Sequence, residues 1–111
     1  MNYADKLTNT LTNMRKVVVS DIVQNKLTDL RIYLIEELKL SREGAKARTC
    51  RIDDFLLALG TPADYPLCRF KRWRTLGYRC AVFEKSWVFA YETFYGGVIV
   101  RDMAHVAALA E

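Results

Sequence analysis

The sequence predicts an α+β domain in the order β-α-α-β-β-β, with a helical hairpin packed on one face of a small antiparallel sheet. Three observations carry that prediction: a Val-rich strand near the start, two consecutive helical stripes, and a series of β-branched and aromatic segments filling the last third. Helices that precede a sheet as a group can bury their apolar sides only against one of its faces.

In chain order, residues 1–13 are rich in Thr and Asn, lack a sustained apolar period, and read as a flexible N-terminal extension. The single domain then runs over 14–111, and Met14 stands beside Met1 as a candidate start. Val17-Val18-Val19 makes the first strand, closed by Ser20-Asp21. Asp21 opens a helix, with Gln24 at capping-box distance. Val23, Leu27, Leu30, Leu34 and Leu38 recur at three and four, which gives an amphipathic helix over 22–40. Ser41 caps a second helix whose inner face is Ala45, Arg48, Ile52, Phe55, Leu56 and Leu59, and Gly60 ends it. So short a connection sets the two helices antiparallel. Strands follow over 76–84, 87–94 and 98–104, separated by the turns Glu84-Lys85-Ser86 and Tyr95-Gly96-Gly97. The stretch from Arg69 to Thr75 reads as extended chain ahead of them. No element remains to cover the sheet face away from the helices, so that face is expected to stay partly open.

A chain of 111 residues holds one modest core. No apolar run is long enough to span a membrane, and Met1–Met14 lacks the apolar centre of a secretory signal, so the expected compartment is the cytoplasm. The three cysteines, Cys50, Cys68 and Cys80, show no CxxC spacing, and one histidine cannot complete a Cys/His zinc site. They read as free thiols in a reducing cytosol, with a cysteine paired to His105 as the other reading. No metal or cofactor motif is present, and a metal-free, cofactor-free protein is expected. The net charge is +4, and it is local: five cations (Arg69, Lys71, Arg72, Arg74 and Arg79) fall between residues 69 and 79 with no acid, and removing them takes the chain from +4 to −1. Concentrated charge of this kind points to a polyanionic or acidic partner.

The ordered set of elements, with the residues that fill it, resembles the RelE/ParE superfamily of bacterial toxins. The matching pieces are Val17-Val18-Val19-Ser20-Asp21 opening a helix, Leu27, Leu30 and Tyr33-Leu34 along it, and Ile52-Asp53-Asp54-Phe55 with Leu59 closing the second helix. Gly77-Tyr78-Arg79 then opens a strand, Trp87 to Tyr91 lies on the next, and Val98-Ile99-Val100 leads to His105. The likeness spans about residues 15–106. It implies the toxin of a type II toxin–antitoxin pair, which inhibits growth by binding DNA gyrase or the ribosome and is neutralised by a cognate antitoxin. It equally admits a ribosome-dependent, metal-independent mRNA endoribonuclease, or a degenerate homologue that keeps only antitoxin binding. Assembly as a homodimer or as a hetero-oligomer with the antitoxin stays open, and no membrane partner is implied.

In the nuclease branch the resemblance implies cationic and tyrosine side chains around the reacting phosphate, and here Arg79, Tyr91 and His105 are the catalytic candidates. The set departs from that branch: Val88 stands at one of its arginine positions, and the end of the chain from Val106 on has neither Arg nor Tyr. That favours the ParE-like side. For Arg79 the other reading is a pair with a carboxylate such as Glu92; for Tyr91, a core residue with a satisfied hydroxyl; for His105, an ordinary surface or core histidine. Arg69, Lys71, Arg72, Arg74 and Arg101 are the candidates for binding nucleic acid or another target. Phe70, Trp73 and Tyr78, interleaved with these cations, are placed to stack on bases; the other readings are docking of an acidic antitoxin segment on the same charge, or a charged sheet edge with aromatics in the core.

Overall fold

A computed structural model describes residues 14–109, and the expected extension over 1–13 lies outside the described residues. The elements are β1 (Lys16–Val19), α1 (Asp21–Glu36), α2 (Arg42–Ala58), the short α3 (Lys71–Arg74), β2 (Arg79–Phe83), β3 (Trp87–Phe94), β4 (Gly97–His105) and a 3₁₀ turn (Val106–Leu109). The order β-α-α-β-β-β therefore holds, with one added helical turn.

The caps explain where the helices start. Ser20, rather than Asp21, caps α1: its Oγ accepts from the Val23 N–H, and the Gln24 amide turns back to the Val19 carbonyl. Ser41 caps α2 as expected, accepting from the Gly44 N–H. The first helix stops at Glu36 instead of running to 40, because Lys39 swings into the left-handed region (φ 58°) and Leu40 N–H closes onto the Leu34 carbonyl. In α2 the inward position taken as Arg48 belongs to Thr49, which is buried and satisfied by the Ala45 and Lys46 carbonyls, while Arg48 is exposed.

The four strands lie in the order β1-β4-β3-β2. The β2-β3-β4 meander is antiparallel, whereas β1 pairs parallel with β4, Lys16 opposite Gly97 and Val19 opposite Val100, so the sheet is mixed rather than purely antiparallel. The physical reason is connectivity: a strand separated from its neighbour by whole helices is free to return in the same direction. On one face Val23, Ile52, Leu56 and Leu59 of the helical side meet Ala81, Phe89, Tyr91, Val98, Val100 and Met103 of the sheet. Phe89 is fully buried, and burial of such a ring contributes about 1.5–3 kcal/mol.

The other face is not open. Cys68, Trp73 and Leu109 pack on Val88 and Ala90, with Phe70, Tyr78, Cys80 and Ala104 at the margin. The cover comes from the segment expected to be extended: Trp73 is 2% exposed, and one turn of helix carries it down onto the sheet. Gly77, at φ 77°, then reverses the chain into β2, and its N–H closes the turn on the Arg74 carbonyl.

Candidate functional site

The site residues begin with a loop anchored at its base. After α2, Arg15 from the foot of β1 reaches across to the connection: its guanidinium donates to the Thr61 carbonyl at 2.6 Å and the Leu59 carbonyl at 3.1 Å, and it pairs with Asp64 at 2.6 Å. That guanidinium holds the Asp64 carboxyl below its ordinary value of 3.8. Arg79 and Tyr91, cross-strand partners on β2 and β3, grip the next residue. Arg79 donates to the Tyr65 carbonyl at 2.7 Å, while the buried Tyr91 hydroxyl accepts from the Tyr65 N–H at 2.8 Å and leans toward Asp64 at 3.5 Å. Burial raises the Tyr91 pKa above 10.0. The two side chains thus fasten the Pro66 loop. The carboxylate partner considered for Arg79, Glu92, pairs instead with Arg101 at 2.8 Å.

His105 lies elsewhere. It faces Trp87 across β4 and β3, ring centroids 5.3 Å apart and nearly perpendicular. Tyr91 is four positions further along β3, about 13 Å at strand rise. The structure brings Arg79 and Tyr91 together and leaves His105 at the far end of the sheet. The histidine Nδ1 accepts the Ala107 N–H at 3.1 Å. Beside it a groove of about 240 Å³ runs between α1 and the β2–β3 hairpin, lined by Leu30, Tyr33, Leu34, Arg48 and Trp87 among others.

The cationic segment is the most distinctive surface. Cys68 and Cys80 form a disulfide, which overturns the expectation of free thiols for these two and removes them as nucleophile partners for His105; Cys50 is free and exposed. The expectation failed because burial and spacing say nothing of which sulfurs meet in space. Cys68 N–H bonds to the Tyr78 carbonyl, Cys80 N–H to the Pro66 carbonyl, and Leu67 bridges Arg79, so the two chain ends run side by side. Between them Arg69, Lys71, Arg72 and Arg74 are all exposed. Arg69, Arg72 and Arg74 form no ion pair among the described residues. The aromatics expected to stack on bases point the other way, Trp73 into the second core and Phe70 and Tyr78 against its margin. What faces outward is charge, suited to phosphates or carboxylates rather than to base faces. Arg101, on the bulged part of β4, is tied to Glu92 and stands apart from that group as a paired cation.

Compared with protein-family models, curated proteins and solved structures, the chain matches none. No group of three or more His, Cys, Asp or Glu among the described residues is arranged to hold a metal ion, and no described helix is long and apolar enough to cross a membrane.

The disulfide-closed loop is what sequence reasoning missed. Its cations were visible as a cluster; its closure was not, although two cysteines flanking that cluster were the available signal.

Proposed function

We propose that the chain is the toxin component of a type II toxin–antitoxin pair, acting in the cytoplasm by binding DNA gyrase or the ribosome and held in check by a cognate antitoxin. The observation that carries this reading is the exposed set Arg69, Arg72 and Arg74, without an ion pair among the described residues, on a loop fixed at both ends. A rigid cationic surface loses little conformational entropy on meeting a polyanion. The separation of His105 from Arg79 and Tyr91 speaks for binding over RNA cleavage by that trio.

Expression of the chain alone is expected to arrest growth, and co-expression of an acidic partner encoded beside it to restore growth. The triple variant R69E/R72E/R74E, confirmed folded by circular dichroism, is expected to abolish the arrest. Double-strand breaks during arrest would identify gyrase, and stalled translation with intact messenger would identify the ribosome. Cleaved messenger would favour the nuclease reading instead. Normal division at high levels of the wild-type chain would overturn the toxin reading and leave a homologue that only binds.

A further inference from the structure

We propose that Cys68–Cys80 is a redox switch: reduction by a dithiol frees the cationic loop and weakens its grip on a polyanion. The ligand half of this statement rests on the function proposed above; the structural half does not.

Every cation of the cluster, Arg69, Lys71, Arg72, Arg74 and Arg79, lies inside the ring that the disulfide closes. Inside that ring α3 is a single turn, and most of its backbone hydrogen bonds are local, such as Arg74 N–H to the Phe70 carbonyl and Gly77 N–H to the Arg74 carbonyl. Trp73 anchors the turn by burial, while its indole N–H reaches Asp102 only at 3.4 Å. The covalent tie therefore acts together with the burial of Trp73 to hold the loop in place. The two residues differ in exposure: Cys68 is 1% exposed, whereas Cys80 is half-buried on the outer strand β2. In the cytoplasm proposed above, a disulfide is characteristically transient rather than permanent.

The chemistry is thiol–disulfide exchange. A thiolate of the dithiol attacks the Cys80 sulfur, and the Cys68–Cys80 bond breaks with its electron pair on the Cys68 sulfur, which takes up a proton. The second thiol of the reductant then attacks its own sulfur in the mixed disulfide, releasing Cys80 as a thiol. The protein gains two electrons and two protons, and the reductant leaves as a cyclic disulfide.

The test uses the intact chain, oxidised or treated with dithiothreitol. Brief trypsin digestion is quenched, all samples are fully reduced, and cuts are mapped by mass. Reduction is expected to speed cleavage after Arg69, Arg72 and Arg74 by about tenfold, with cleavage after the exposed Lys85 as the internal reference. C50S is expected to respond like the wild type, and C68S/C80S to behave as reduced throughout. In parallel, affinity for a labelled duplex RNA is expected to fall about tenfold on reduction, with polyglutamate as the competing probe. Binding of polyglutamate alone, lost on reduction, would keep the switch and make the ligand an acidic protein. Unchanged cleavage, or faster cleavage with unchanged binding, would overturn the switch. Faster cleavage with neither probe bound by the oxidised chain would overturn the polyanion-binding reading and leave the redox-dependent loop standing.

Discussion

At the scale of single residues, Arg15 and Asp64 show how one ion pair ties a loop to a segment 49 positions away in sequence. The Arg15 guanidinium lowers the Asp64 pKa in the folded chain, while the unfolded chain titrates near 3.8. Between the two values the unfolded state binds more protons, so the pair's contribution is full above 3.8 and fades as pH falls through the lower, folded value. The side chains are 21% and 26% exposed, and such a partly screened pair contributes about 1 kcal/mol. D64N is therefore expected to lower stability near neutral pH by about that amount and to flatten the acid limb of a urea-midpoint against pH curve. A variant whose acid limb matches the wild type would show that Asp64 does not titrate with folding. The candidate pair Arg79 and Tyr91 was legible as residue types on neighbouring strands. Their shared hold on Tyr65 was not, because that loop is placed by tertiary bonds from three separate elements.

At the scale of elements, period and caps carried most of the information. The stripe from Val23 to Leu34 and the cap at Ser41 follow local rules, so both helices were legible, and the α1 cap missed by one position. The segment around α3 was misread because cations alternating with aromatics have the same pattern in an extended chain and in one turn of helix; only the burial of Trp73 decides between them. The β2–β3 turn holds a cost of its own. Glu84 and Lys85 both sit at positive φ, 48° and 61°, in a reversal closed by the Ser86 N–H on the Phe83 carbonyl. Neither residue type favours that region, and Asn-Gly does. E84N/K85G is expected to raise stability by about 1–2 kcal/mol in chemical denaturation, since the exposed Arg51–Glu84 pair that it removes contributes little. A lower midpoint would mean that this ion pair outweighs the backbone relief.

At the scale of the whole molecule, three layers replace the two expected: helices, sheet, and a thin cover made of α3 and the final 3₁₀ turn. If that cover is a true second core, W73A is expected to cost about 3–5 kcal/mol, comparable with F89A on the helical side. A loss below about 1 kcal/mol would reduce the cover to a surface flap. The cover also turns the cationic side chains outward by drawing the aromatics in, which links stability to the proposed docking surface. The parallel pairing of β1 with β4 has a further consequence. Ser20 and Arg101, 81 positions apart, already share a hydrogen bond at the end of that pairing. A chain emerging from its synthesis machinery can form both helices and still lack a docking line for its first strand. Until the last hairpin is out, Val17 to Val19 has no ladder to join, so the sheet can close only once β4 has been made.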